Sequence, residues 1–374
     1  MPLILTEEQT MLKEAADGFL NENAPLAHLR KLRDSRDADG VSRDLWRAFG
    51  EMGLAGVIIP EAHGGAGLGA VEAGVVAESL GRTLTPSPFM GSAVLSARVL
   101  VDGGSEAQQA AWLPKIAAGE AIVSLAVDEG AKHAPGKITT TAERSGNGFR
   151  LNGSKAMVLD GHLADAVIVA ALTEGGLTLF LVDPKTAGME VERTIMVDAH
   201  NAARITLNDV QVDADAVIGT VDGGETLLEG ALNLGRACAA ASLTGAGDQA
   251  FQLTMEYLKT RKQFGRAIGE FQALQHRAAH LFSEIEIARA ATLGALQKLD
   301  AGDDDAAPLA VAVAKAKAGR VAELAVQEAV QMHGGVGMTD EYDVGLFMKR
   351  VRVLNELLGD VGFHQDAVAK SQGF

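Results

Sequence analysis

Tyr257–Gln272, Y-L-K-T-R-K-Q-F-G-R-A-I-G-E-F-Q, leaves one helical segment, passes a tight Arg261-Lys262-Gln263-Phe264-Gly265 break, and enters a second helix behind Gly269-Glu270-Phe271. The break gathers Arg261, Lys262 and Arg266 on a chain of 374 residues with a net charge of −16. A compact cationic spot on an acidic protein points to a specific anion. The guanidinium fork suits phosphate oxygens, and Gly265 lets the backbone come close. The competing reading is a solvated helix end, where cations are favoured by the macrodipole.

Downstream, Gln331–Tyr342 reads Q-M-H-G-G-V-G-M-T-D-E-Y. R-K-Q-F-G-x-x-I-x-x-F-Q and this second stretch resemble the two signatures of the acyl-CoA dehydrogenase family, flavoproteins that desaturate acyl-CoA thioesters with FAD. They stand in the family's order and at about its spacing, and the resemblance covers nearly the whole chain. It implies an α+β fold: an N-terminal helical domain (1–116), a middle β-barrel or sandwich (117–222), and a C-terminal four-helix bundle that also serves oligomerisation (223–374).

The residue patterns agree with that order. Thr6-Glu7-Glu8-Gln9 is a capping box opening a helix. Helical spacing recurs over 43–52, 71–80 and 93–101. From Ala121 to Val212 come short runs rich in β-formers, separated by turns such as Ser145-Gly146-Asn147-Gly148 and Asn152-Gly153. These runs are 121–127, 137–142, 149–151, 155–159, 167–172, 177–182, 189–197 and 203–212. After Gly219 the helical period returns in four long stretches, 224–260, 269–299, 306–333 and 341–370, with the acidic turn Asp300–Asp305 between two of them. On the second, Phe271, Leu274, Ala278, Leu281, Phe282, Ile285 and Ala288 form a broad apolar face suited to a bundle. Gly65-Ala66-Gly67-Leu68-Gly69-Ala70 matches a dinucleotide-binding turn by spelling alone: no second parallel strand follows it.

Composition narrows the class. Apolar residues make up 47%, aromatics only 4%, and there are 43 glycines, which suits close-packed helices. The single cysteine, Cys238, excludes a disulfide within one chain. The N-terminus lacks the basic region of a signal peptide. The Ala-rich segment Pro308–Gln331 is interrupted by Lys315, Lys317, Arg320 and Glu323, so no stretch reaches membrane-spanning length. A cytoplasmic protein without membrane or nucleic-acid partners is the expectation. His276, His280 and Glu284 share a helix face but lack a further ligand segment, so no metal site is expected.

Carried over residue by residue, the resemblance implies that Arg261, Phe264 and Gln272 grip the adenosine-pyrophosphate half of FAD held mainly by a neighbouring subunit. Gln331, Gly334 and Gly335 belong to the same half-site. The flavin-ring half departs from the family: Met157 stands for a tryptophan and Leu159 for a hydroxyl-bearing threonine, although Lys155 remains. The family's base departs too. Its usual position falls at Leu358, before Gly359; the alternative falls at Gly235, before Arg236. Glu356 and Asp360 are the carboxylates near enough in sequence to substitute. Arg236 matches a residue near the family's catalytic centre, and Lys349, Arg350 and Arg352 form a basic turn that could meet CoA phosphates.

The leading expectation is therefore a subunit of a hetero-oligomeric acyl-CoA dehydrogenase that supplies half of a homologous partner's FAD site, with an electron-transfer flavoprotein as acceptor. The alternatives are a self-sufficient homotetrameric dehydrogenase using Glu356 or Asp360, a flavin oxidase or monooxygenase on the same fold, and a non-enzymatic scaffold.

Overall fold

Capping residues open the first helix as its sequence demands. In the computed structural model, which describes residues 2–374, Thr6 Oγ1 accepts from the Gln9 N–H at 3.2 Å and Gln9 Oε1 from the Thr6 N–H at 2.9 Å. This starts α1 (Glu7–Asn23), followed by α2 (Leu26–Asp34), α3 (Arg43–Glu51), α4 (Ala70–Thr83), a π-helical segment at Phe89–Ser96, α5 (Ala97–Gly103) and α6 (Glu106–Ala117). Residues 56–59 form turns rather than a strand, and the Gly65–Gly69 loop leads straight into α4. Neither piece of a dinucleotide-binding unit is present there.

The strands are β1 (Val123–Ala126), β2 (Thr141–Ser145), β3 (Gly148–Leu159), β4 (Ala166–Leu172), β5 (Leu177–Val182), β6 (Met189–Ile195), β7 (Asn201–Val212) and β8 (Val217–Ile218). They form one mixed sheet in the order β6-β7-β3-β2-β4-β5-β8, with β1 parallel beside β4. Phe149 and Phe180 meet edge to face at 5.1 Å in its apolar core. The β2–β3 hairpin turns tightly with Ser145 opposite Gly148, and Gly146 at φ +59° supplies the backbone twist.

Asn152-Gly153 is not a turn, contrary to expectation. β3 continues through it, and the register against β7 shifts between Leu151 and Gly153. A Cβ at Gly153 would lie 2.5 Å from Thr140 Oγ1, so the glycine marks a bulge under close approach. Residues 137–140 likewise fall outside β2: Thr139 and Thr140 give their N–H and hydroxyl groups to Glu129 instead.

The C-terminal part holds α7 (Gly224–Thr260), the short strands β9 (Lys262–Gln263) and β10 (Arg266–Ala267), then α8 (Gln272–Asp300), α9 (Ala307–His333), α10 (Val344–Glu356) and α11 (Val361–Ser371). The fourth helical stretch is thus two helices. Leu358 at φ +56° and Gly359 at φ +108° break it, and Asp360 caps the next start. Phe251 of α7, Leu281, Ile285 and Ala288 of α8, and Val321 and Ala325 of α9 share one apolar cluster. Phe282 departs from its assigned face and is 54% exposed.

By packing, the chain divides into two compact units. One comprises the chain up to Arg30, Gly74–Thr85 and Arg236–Phe374; the other comprises Lys31–Ala73 and Pro86–Gly235. Among the described residues no helix is long and apolar enough to cross a membrane.

Candidate functional site

The Arg-Lys-Gln-Phe-Gly break folds as a miniature hairpin. Gln263 of β9 pairs with Arg266 of β10, leaving Phe264 and Gly265 at its tip with φ of +54° and +81°. Two consecutive positive φ values belong to a tight two-residue hairpin, which glycine adopts freely and phenylalanine does not. The left-handed backbone costs a side-chain-bearing residue about 1–2 kcal/mol. Phe264 nonetheless presents its ring to solvent, 90% exposed, with its edge toward Phe271 at 6.1 Å. Arg266 places its guanidinium 4.1 Å from the Phe271 ring centroid.

Both signatures meet in one open groove of about 970 Å³. Arg261, Phe264, Gln331, Gly334 and Gly335 all line it. Gln272 does not: it is the exposed first residue of α8, between the lining residues Phe271 and Ala273. No side chain among the described residues caps α8 at Phe271, which leaves first-turn amides and the positive end of a long helix beside Arg261. Gly334, at φ +65° and ψ −144°, sits where only glycine is comfortable. No atom lies within 4 Å of a Cβ built at Gly334 or Gly335, so the backbone there faces open space.

Aromatic rings close the inner wall. Tyr257 stacks on His333 at 4.3 Å and donates its hydroxyl to the His333 carbonyl at 3.4 Å. Tyr342 meets both edge-on, at 6.0 and 5.6 Å. His333 Nδ1–H donates to the Ala329 carbonyl at 2.7 Å, and burial pushes the imidazole below its ordinary pKa, against that hydrogen bond. A groove with a basic fork, open glycine backbone, a helix N-terminus and aromatic walls is chemically suited to a diphosphate joined to a planar base. The residues therefore fit the adenosine-pyrophosphate part of FAD.

The region expected to correspond to the flavin-ring half is organised around an internal ion pair. Lys155 Nζ is fully buried and donates to Glu129 Oε1 at 2.8 Å and to the Val127 carbonyl at 3.1 Å. Burial alone would raise the Glu129 pKa, but Lys155 and the two threonines outweigh it and hold the carboxyl at about 2. Burial also pulls Lys155 below its usual value while Glu129 opposes that shift. Lys155 is thus committed to an internal ion pair. Met157 occupies a bulge between Lys155 and Val158 at φ +54° and is 47% exposed. Val127, Met157 and Leu159 carry no side-chain hydrogen-bond donor. An Asp128–His133 pair at 2.8 Å completes this region and had no sequence signal.

At the joint between α10 and α11, Leu358 is 8% exposed. Neither nearby carboxylate is idle. Asp360 Oδ1 accepts from the Phe363 N–H at 2.8 Å as the cap of α11, and Glu356 pairs with Arg352 at 3.1 Å. Gly235 lies within α7, and the buried Arg236 sets its guanidinium 5.6 Å from the Phe363 ring.

The joint is tied from beneath by Lys315 of α9, which donates to the carbonyls of Leu354, Asn355 and Gly359 at 3.0, 3.3 and 3.1 Å. Burial lowers the Lys315 pKa to about 7, against the pull of Asp360 and Glu356 and with help from Arg236. In the sequence this lysine shows only as an interruption of an apolar run, two residues before Lys317.

His276 and His280 are exposed, and Glu284 pairs with Lys317 at 2.6 Å. Among the described residues no group of three or more His, Cys, Asp or Glu is arranged for a metal. In the basic turn, Arg352 is engaged by Glu356.

Comparison with known proteins is consistent along the whole chain. Residues 6–120, 126–210 and 222–373 match the N-terminal, middle and C-terminal domain families of acyl-CoA dehydrogenase. Acyl-CoA dehydrogenase FadE12 of Mycobacterium tuberculosis is 32% identical over 360 residues, spanning 94% of this chain and 92% of that one. The crystal structure of the ChsE4-ChsE5 complex from Mycobacterium tuberculosis superposes with a TM-score of 0.91 at 27% identity, covering 100% of this chain and 99% of that one. A variant of the Tcur3481-Tcur3483 steroid ACAD superposes at 0.87 with 31% identity, covering 98% of each.

Proposed function

The chain belongs to the acyl-CoA dehydrogenase family, and from that premise we propose that it works in a mixed assembly, lending the adenosine-pyrophosphate half of an FAD site to a homologous catalytic partner. One observation carries this: the groove gathers Arg261, Phe264, Gln331, Gly334 and Gly335, and the positions that the resemblance gives to the base hold Leu358 and Gly235.

In this family FAD, when bound, accepts the hydride that leaves the acyl β-carbon. The groove's contribution is binding. Arg261 would hold phosphate oxygens, the Gly334–Gly335 backbone would admit them closely, and the start of α8 would add positive potential. Phe264 and the aromatic wall exclude water from the base-binding side.

Removing the substrate's α-proton needs a positioned carboxylate, worth about 10²–10⁴ in rate. In this chain Asp360 is spent on a helix cap and Glu356 on an ion pair, which favours a partner as the source of that base. Two of the similar structures are named as two-component or steroid proteins, which supports a thioester with a bulky steroid-type acyl group. Arg236, buried beside the joint, would face that thioester. An electron-transfer flavoprotein is the acceptor that completes turnover, and the cytoplasm is the compartment of this proposal.

The test is flavin content by visible spectroscopy, first on the chain alone and then after co-expression with a candidate partner. Little flavin alone, near half-stoichiometric flavin in the complex, and its loss on Arg261→Ala are the expected results. Full flavin on the isolated chain, bleached by acyl-CoA, would instead establish a self-sufficient dehydrogenase.

A further inference from the structure

Arg30 lies on α2, far in sequence from both signatures, yet its guanidinium ends behind the second one. Nε and Nη2 donate to Asp343 Oδ1 at 3.0 and 2.8 Å, and Nη1 donates to Asp340 Oδ2 at 3.2 Å. These aspartates bracket Glu341 and Tyr342, and Tyr342 lines the groove against Tyr257 and His333. A planar fork that fixes both ends of a short segment leaves the residue between them little freedom. Asp343 is also the residue directly before α10, so the contact reaches the start of that helix.

Charge gives the contact a second consequence. Asp340, Glu341 and Asp343 crowd three carboxylates beside a groove suited to a diphosphate, and like charge repels an incoming anion. Arg30 is turned toward two of the three. With side-chain exposures of 22% for Arg30 and 36% for Asp343, solvent screens this pair only in part.

We propose that Arg30 is a positioning residue for the groove: its fork holds Asp340 and Asp343 and offsets their charge where an adenosine diphosphate moiety binds beside Tyr342. The inference rests on the reading of the groove given above. ADP serves as probe because it carries that moiety without the flavin. It would be titrated by calorimetry into the full chain in complex with its partner, freed of flavin, at low and high salt.

Arg30→Ala is expected to weaken ADP about tenfold at low salt and less at high salt. Adding Asp340→Asn and Asp343→Asn should recover most of the loss, a rescue that a purely structural contact would not give. Arg30→Lys should recover part, since it keeps the charge without the fork. If Arg261→Ala abolishes binding while Arg30→Ala leaves it unchanged, the Arg30 role is refuted and the groove reading stands. If no form binds ADP, both fall. A loss in Arg30→Ala that the two Asn substitutions fail to recover also overturns the proposal. Should Arg30→Ala not fold, the triple variant decides: affinity near wild type sustains the role, and a tenfold loss removes it.

Discussion

Phe264 shows what a single residue can reveal. A phenylalanine at φ +54° with its ring 90% exposed gains almost nothing from burial within its own chain to offset the backbone strain. Strain retained without local compensation points to a use elsewhere. Phe264→Gly should therefore leave the isolated chain as stable as before, or up to about 1 kcal/mol more stable, while flavin retention by the complex falls. Thermal unfolding of the chain and flavin release from the complex separate the two effects. A stability loss above about 1 kcal/mol would mean that the ring packs at home after all.

Among the elements, the joint between α10 and α11 is the most instructive. Lys315 satisfies three carbonyls there from a fully buried position, with a pKa near 7. The unfolded chain holds that proton up to about pH 10.4, so between about pH 7 and 10.4 the folded state binds fewer protons. Stability must then rise with pH across that window by about 1 kcal/mol per unit from this group, and show no slope from it below pH 7. Lys315→Met removes the dependence. The stability difference between wild type and variant should grow from pH 7 to 9 in chemical denaturation; a flat difference would show that the ammonium keeps its ordinary acidity.

Local signals account for what was legible at this scale. The capping box at Thr6, the Asp300–Asp305 turn and the full extent of α7 were readable because each depends on neighbours in sequence. The break at Leu358–Gly359, the bulge at Gly153 and the exposure of Phe282 were not, since each is decided by an atom from a distant segment or by the absence of one. The groove was legible as two signatures, but its joining of Tyr257, His333 and Tyr342 required the fold.

At the scale of the whole molecule, the chain combines family architecture from end to end with an uneven site. On the reading proposed above, the joint and the strand region around Met157 and Leu159 are separate departures, and restoring one leaves the other. Leu358→Glu should thus give a folded chain that still fails to bleach flavin with acyl-CoA in the absence of a partner. Turnover by that single variant would place every other catalytic requirement already within this chain. The left-handed turn at Leu358 also bears on how such assemblies diverge. What holds the joint is a main-chain path, tied by Lys315 through the Gly359 carbonyl, while the Leu358 side chain is itself buried. In the mixed assembly proposed above, two related subunits would keep the same main-chain path at this joint while differing in the side chain it carries.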